Sequence, residues 1–217
     1  QMCIRDSVMG DAYEYLIKKF ADMSKKNAGE FYTPRAVVKL MVQLLQPKSG
    51  ESVYDPAAGT GGMLIEAVHH MNHSSLCCGN IFGQEKNVVN SAIAKMNLFL
   101  HGASDFNIMQ GDTLRNPKIL QGGEVAKFDC VIANPPFSLE KWGSVEWSSD
   151  KYGRNIWGTP SDSCGDYAWI QHMIASMALG KGRMAVVMPQ GVLFRGNEEG
   201  RIREKLVKSD MVEAVVT

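Results

Sequence analysis

Short apolar segments alternate with longer helical segments from residue 52 onward, and this alternation most constrains the fold. Strand-length apolar runs occupy residues 52–54, 80–84, 106–110, 130–133 and 183–188. Apolar residues recur at helical spacing in residues 63–71, 87–100, 166–179 and 198–207. The pattern predicts an α/β fold with a doubly wound, mostly parallel sheet that carries helices on both faces. Residues 211–217 predict a further strand that stops in mid-course, so we expect the sheet to be truncated at its C-terminal end.

Two helical segments precede the alternating region. Residues 11–24 carry apolar side chains at helical spacing, and a second helix is predicted after Thr33 and Pro34, with the Thr33 hydroxyl as its N-cap. We therefore predict an N-terminal helical segment over residues 1–50 and an incomplete core domain over residues 51–217. Residues 1–7 show no pattern and are read as a cloning or sequencing scar.

Composition excludes some classes of protein. The 23 Lys and Arg residues balance 23 Asp and Glu residues, which argues against a stand-alone nucleic-acid binder but allows a partner subunit to supply the basic surface. The five cysteines form no CxxC pair and lack metal-type spacing with the five histidines, so we predict reduced thiols in a cytosolic protein and no metal site. No apolar run has the length of a bilayer span, and no signal peptide is visible.

The first predicted strand of the core ends in a glycine-rich turn. Residues 55–62 read Asp-Pro-Ala-Ala-Gly-Thr-Gly-Gly, and we call this segment the glycine loop. A strand, a glycine turn and a helix place backbone N–H groups and a helix N-terminus against a ligand. The loop matches neither GxGxxG nor a P-loop, and Asp55 would repel a phosphate but attract an ammonium group.

Two further carboxylates follow the next two strands. Glu85 ends the second strand, where an acidic residue can accept both ribose hydroxyls, and Asp112 ends the third, where it can accept from an exocyclic amine. S-adenosylmethionine carries an amino-acid end, a ribose and an adenine and so fits all three carboxylates, whereas NAD fits less well because Asp55 opposes its pyrophosphate. The alternative is that these carboxylates are helix caps and solvated turn residues.

A second turn follows the apolar strand at residues 130–133. There Asn134, Pro135, Pro136 and Phe137 end the strand in a rigid turn, because each proline restricts the residue before it. An amide, free carbonyls and an aromatic face suit a planar group that carries an NH2. The alternative is a proline turn that merely ends the strand.

Together these motifs resemble a known family. The glycine loop followed by Asn-Pro-Pro-Phe resembles amino-methyltransferases, and residues 29–35, Gly-Glu-Phe-Tyr-Thr-Pro-Arg, narrow the resemblance to the modification subunit of type I restriction–modification systems, the HsdM family. Residues 166–173 and 184–191 also resemble that family, so that the likeness covers roughly residues 11–217. It implies transfer of a methyl group from S-adenosylmethionine to the exocyclic nitrogen of a flipped adenine in double-stranded DNA. It also implies a specificity subunit, a restriction subunit and a bacterial or archaeal cytoplasm.

The resemblance also assigns site residues. The cofactor set consists of Glu30, Phe31, Tyr32, Thr33, Pro34 and Arg35 against the methionine part, Asp55, Ala57, Gly59, Thr60, Gly61 and Gly62 at the amino-acid end, Glu85 at the ribose and Asp112 at the adenine. The catalytic set is Asn134, Pro135, Pro136 and Phe137, with Asn134 and Pro135 accepting from the target amine and Phe137 stacking on the base.

Three questions stay open at the level of sequence. Residues 141–157 mix tryptophans with cations, which suits an unstacked nucleotide but equally suits a long loop docked on the core. The planar amine acted on could belong to cytosine, RNA or a glutamine amide instead of DNA adenine. The chain could also be a fragment that only binds cofactor and partners.

Overall fold

The computed structural model describes Tyr15, residues 33–72 and residues 80–217. Apart from Tyr15, the helix predicted over residues 11–24 lies outside the described residues, as do the predicted cofactor residues Glu30, Phe31 and Tyr32.

One parallel sheet forms the centre of the described fold. The strands in chain order are β1 (Val53–Asp55), β2 (Ile81–Glu85), β3 (Phe106–Gln110), β4 (Leu120–Gln121), β5 (Glu124–Val125), β6 (Cys130–Ala133) and β7 (Arg183–Val186). Five of them form this sheet in the order β3-β2-β1-β6-β7, and each neighbouring pair is parallel. The chain leaves β3 at one edge and returns to place β6 beside β1, so the winding direction reverses between β1 and β6. Ligands of open α/β sheets bind at such a reversal, outside the carboxyl ends of the strands.

Helices cover both faces of this sheet, which confirms the predicted doubly wound α/β fold. The helices are α1 (Arg35–Leu45), α2 (Gly62–Asn72), α3 (Val88–Leu100), α4 (Ser144–Ser148), α5 (Asp166–Ala175) and α6 (Asn197–Lys208). Helices α1, α2 and α3 pack on the face that carries Val53, Ile81 and Ile132. Met173 of α5 packs on the opposite face against Tyr54 and Val131. Among the described residues, no helix combines the length and the apolar character that crossing a membrane would require.

Helix α1 belongs to the same hydrophobic core as the sheet. Val38, Met41, Val42 and Leu45 form its buried stripe and join the cluster of Val53 and the α2 side chains. This packing continues across the domain boundary predicted near residue 50. The boundary itself stays a prediction.

Several elements differ from the sequence prediction. Helix α5 ends at Ala175, four residues early, because the following residues pair with Phe128: the Phe128 N–H donates to the Ser176 carbonyl at 2.8 Å, and the Ala178 N–H donates to the Phe128 carbonyl at 2.8 Å. The strand predicted over residues 211–217 is wrong. In the described structure these residues form no regular element and are exposed, since none of them pairs with a strand of the sheet. The hairpin of β4 and β5 was not predicted, although Gly122 and Gly123 at its turn adopt φ values of 63° and 89°.

The segment between β6 and α5 docks on the core through one buried arginine. The side chain of Arg154 donates to the carbonyl oxygens of Thr113 at 2.9 Å and Leu114 at 2.8 Å, and it pairs with Asp150 at 2.7 Å. Trp147 lies under the guanidinium, whose carbon is 4.4 Å from the ring centroid.

The burial of this segment bears on its proposed contact with nucleotides. Trp142 and Trp147 are 2% and 1% exposed, and Arg154 is 1% exposed. These three side chains are therefore not available to stack on a base or to contact phosphates, as the nucleotide interpretation required. The sequence left open whether this segment contacts a nucleotide or docks on the core, and for Trp142, Trp147 and Arg154 the structure shows docking on the core.

Candidate active site

A cavity of about 470 Å³ lies at the carboxyl ends of the central strands, where the winding direction reverses. Pockets of this volume hold small ligands and cofactors. The lining comes from the start of α1, the glycine loop, the ends of β2 and β3, and the turn after β6. Ten predicted site residues are among the lining: Thr33, Asp55, Ala57, Gly59, Thr60, Gly62, Glu85, Asp112, Asn134 and Pro136.

The glycine loop is held tightly against α3. Gly59 and Gly61 have φ values of 54° and 87°, a region that side-chain-bearing residues rarely adopt. A Cβ on Gly61 would meet Ala94 of α3 at 3.4 Å, and the Asn97 side chain donates to the Thr60 carbonyl oxygen at 2.8 Å. These contacts brace the glycine loop against α3.

Asp55 is a buried acid at the head of this loop. Its side chain is 2% exposed and accepts one hydrogen bond from the Ala57 N–H at 2.9 Å. Burial raises the pKa of Asp55 to about 8, with a smaller upward contribution from the charge of Glu85 and an opposing one from the Ala57 hydrogen bond. A carboxyl in this setting gains most from a cationic partner.

Glu85 links the glycine loop to the start of α3. One carboxylate oxygen accepts from the Gly59 N–H at 2.9 Å, and the other accepts from the Asn87 N–H at 2.7 Å. Asn87 in turn caps α3, accepting from the Val89 and Asn90 N–H groups. Each oxygen of Glu85 keeps a second lone pair, which can accept from a ligand hydroxyl.

Asp112 is fixed at the end of β3. It pairs with the exposed Lys86 at 2.9 Å, and its other oxygen accepts from the Arg115 N–H at 3.2 Å. The next residue, Thr113, is buried and donates its hydroxyl to the Pro56 carbonyl oxygen at 2.6 Å. This bond joins the turn after β3 directly to the glycine loop.

Asn134 follows β6 and faces the glycine loop across the winding reversal. Its side-chain nitrogen donates to the Thr33 hydroxyl oxygen at 2.9 Å. Its side-chain oxygen is buried and has no hydrogen-bond partner among the described residues. A buried acceptor without a partner is costly, by about 1–3 kcal/mol, unless a ligand supplies the donor.

Some predicted residues lie outside the cavity lining in the described structure. Pro34, Arg35, Gly61, Pro135 and Phe137 are in this group; Pro135 is buried and Phe137 is 48% exposed. Phe137 is therefore a solvent-accessible residue directly after Pro136, which lines the cavity. The individual roles of all these residues stay predictions.

The cavity also contains residues that the sequence prediction missed. Trp169 of α5 is 5% exposed, lines the cavity and packs with Leu139 and Ala57. Its ring nitrogen has no hydrogen-bond partner among the described residues. Thr113 and Asn97 also line the cavity, and their bonds to the glycine loop are described above. The only sequence signal for Thr113 was its position directly after Asp112. For Trp169 there was no sequence signal, because an indole on a helix does not by itself indicate a ligand site.

The sheet order, the glycine loop and the strand-end carboxylates define a Rossmann-like α/β protein with a cavity at the winding reversal of its sheet. The sequence model of the N-6 DNA Methylase family matches residues 5–217. The chain belongs to this family, which confirms the resemblance drawn from its motifs.

Similar proteins agree with this assignment. The chain is 36% identical over 216 residues to the type I restriction enzyme MjaVII methylase subunit of Methanocaldococcus jannaschii, covering 96% of this chain and 36% of that protein. It superimposes with a TM-score of 0.80 and 37% identity on the methyltransferase subunit of a type I restriction-modification system from Streptococcus thermophilus, covering 92% of this chain and 42% of that one. The chain thus spans well under half the length of these relatives.

A more distant structure supports the fold alone. A putative class I S-adenosylmethionine-dependent methyltransferase from Listeria monocytogenes aligns with a TM-score of 0.60 at 18% identity, over 80% of this chain and 49% of that one. The described structure has the methyltransferase fold that the sequence predicted.

Proposed function

We propose that this chain is the catalytic part of a modification subunit of a type I restriction–modification system, a DNA adenine-N6 methyltransferase that uses S-adenosylmethionine. One observation carries the proposal: the Asn134 side-chain oxygen is buried and unpartnered, and Asn134 lines the same cavity as the glycine loop. An acceptor held there requires a donor from a ligand, and an exocyclic amine is such a donor.

The lining fits the three parts of S-adenosylmethionine. The buried Asp55 suits an ammonium group, because a cation offsets the cost of ionising a buried carboxylate. Glu85 has lone pairs left for two ribose hydroxyls, and Asp112 stands at the next strand end, where it can accept from the adenine amine. We therefore assign these residues to the cofactor, with the glycine loop beside its amino-acid end.

Catalysis by the chain's own residues consists of holding and polarising the target amine. When bound, S-adenosylmethionine supplies an activated methyl group that carries its own leaving group. The Asn134 oxygen and the Pro135 carbonyl oxygen accept the two amine hydrogens, which raises electron density on the nitrogen and fixes its direction of attack. The exposed ring of Phe137 stacks on the adenine after it leaves the duplex, because the amine is unreachable inside a base pair.

The partners follow from the same proposal. The balanced charge of the chain provides no general attraction for a polyanion, so we assign recognition of the DNA sequence to a specificity subunit and cleavage to a restriction subunit. The chain would contribute the cofactor site and the acceptors for the amine. A fragment restricted to binding cofactor and partners remains the alternative.

Methyl transfer from labelled S-adenosylmethionine tests the proposal. The chain, within its complete modification complex, is incubated with adenine-containing duplex DNA, RNA or protein, and the product bases are analysed. We expect N6-methyladenine in DNA only, with turnover that depends on the specificity subunit. Label in cytosine, RNA or glutamine would contradict the adenine assignment. Cofactor binding without any methyl transfer by the complete complex would leave only the binding-module alternative.

We expect cofactor affinity to fall at acidic pH. The raised pKa of Asp55, about 8, means that the carboxyl is mostly protonated at pH 6 and must ionise to pair with an ammonium group. For each pH unit below this pKa, the cost of ionising Asp55 should lower the affinity for the cofactor by about tenfold. Calorimetric titration between pH 6 and pH 8 measures the effect.

The control is a ligand that lacks the amino-acid part, such as 5′-methylthioadenosine. Its affinity should not weaken toward pH 6, because it brings no ammonium group to Asp55. Equal weakening of both ligands at acidic pH would show that another group titrates.

A further inference from the structure

We infer that Thr33 is a positioning residue for Asn134: its hydroxyl holds the amide nitrogen so that the amide oxygen faces the target amine. The inference rests on the proposed function and assigns to Thr33 a role other than the predicted contact with the cofactor. It concerns two residues 101 positions apart in the sequence that meet at the cavity.

The contact is specific in geometry. The Asn134 side-chain nitrogen donates to the Thr33 hydroxyl oxygen at 2.9 Å, within the normal range for such a bond. Thr33 is half-buried, lines the cavity and lies immediately before Pro34, whose ring restricts the backbone of Thr33. The hydroxyl is therefore presented from a constrained stretch of chain at the entrance to α1.

The direction of the amide decides whether Asn134 can act. An asparagine side chain has an acceptor oxygen and a donor NH2 group of similar shape, and only the oxygen can accept from an amine. With the NH2 group bonded to Thr33, the oxygen is left for the substrate, which agrees with its lack of a partner in the described structure. Donation by the NH2 group also polarises the amide and makes its oxygen a stronger acceptor.

The Thr33 hydroxyl serves this contact and not the helix beside it. The sequence predicted Thr33 as the N-cap of α1, and this prediction is wrong. The N-cap position is Pro34, and no side-chain capping bond is present in the described part of the chain. The Val37 and Val38 N–H groups donate to the Pro34 carbonyl oxygen instead. Removing the hydroxyl should therefore leave α1 intact.

The test is Thr33→Val, which keeps the shape of the side chain and removes the hydroxyl. In the complete modification complex we expect kcat for adenine methylation to fall about 10- to 100-fold, the size of effect that misplacing a catalytic group produces. We expect the dissociation constant for S-adenosylmethionine, measured by calorimetry, to change less than twofold. Thr33→Ser restores the hydroxyl and should recover at least tenfold of the lost kcat.

The outcomes separate this role from its rivals. A raised dissociation constant for the cofactor with unchanged kcat would overturn the inference and support the cofactor contact. An unchanged kcat and an unchanged dissociation constant would also overturn it, as would a serine variant as slow as the valine variant. If Asn134→Ala keeps full activity, the proposed function itself fails, and that result is distinct from any result at Thr33.

Discussion

Asn134→Ala should reduce kcat for adenine methylation by about 10²- to 10³-fold, the loss seen when one preorganised group that stabilises developing charge is removed. The physical reason is the loss of the buried side-chain oxygen, which has no partner among the described residues and is assigned to the target amine. The Pro135 carbonyl would then be left as the sole acceptor. The measurement is single-turnover methyl transfer by the complete complex at saturating S-adenosylmethionine.

Two controls make this result interpretable. Cofactor affinity of the alanine variant should stay within about threefold of the parent, because the carboxylates assigned to the cofactor are on other strands. Asn134→Asp keeps an acceptor oxygen and loses the donor to Thr33, so its activity should lie between those of the parent and the alanine variant. Retention of most activity by the alanine variant would remove Asn134 from the mechanism.

Arg154→Met should destabilise the fold by about 3–5 kcal/mol, the usual result of removing one partner from a buried ion pair. The side chains of Arg154 and Asp150 are 2% and 5% exposed, and the substitution leaves Asp150 buried without its cation. It also removes the donors to the Thr113 and Leu114 carbonyl oxygens, which lie in the turn that follows Asp112. Chemical denaturation, followed by circular dichroism, measures the loss.

Matched variants show whether burial causes the effect. Arg201→Met breaks an exposed pair with Glu198, whose side chains are 73% and 53% exposed, and should change stability far less. Replacing Arg154 and Asp150 together by methionine and leucine should recover part of the loss, because no unpaired charge is then buried. If the exposed and buried arginines gave equal losses, the ion pair would not be what anchors the segment.

The central architecture could be predicted because it rests on local patterns. Short apolar runs separated by helical spacing identified all five strands of the parallel sheet, and the sheet rule for ligand sites then placed Asp55, Glu85 and Asp112 at one edge. Asn134 and Pro136 reached the same cavity for that reason, since β6 ends beside β1. For such residues, hydrophobic periodicity and position at the end of a strand are enough to predict that they lie at the cavity.

Other features depend on contacts that sequence patterns do not encode. Thr33 has the form of a helix cap, but its hydroxyl bonds to a residue 101 positions away. Arg154 is one of the cations that the sequence mixes with tryptophans, but two distant carbonyl oxygens, those of Thr113 and Leu114, and the nearby Asp150 carboxylate hold it inside the core. Residues 211–217 have strand-like composition and remain exposed, because strand formation needs a neighbour as well as a propensity.

The position of β6 in the sheet has a consequence for how the protein folds. Val53 pairs with Cys130, which lies 77 positions later in the chain, whereas the pairs of β1 with β2 and of β2 with β3 are closed by much shorter stretches of chain. Closing the longer stretch costs more chain entropy, so we expect this pairing to be among the slower steps. Because the cavity needs the ends of both β1 and β6, ligand affinity should appear only after that step. Ligand binding during refolding would then report formation of the β1–β6 pair, and bound ligand would stabilise that state by an amount that grows with the logarithm of the ligand concentration.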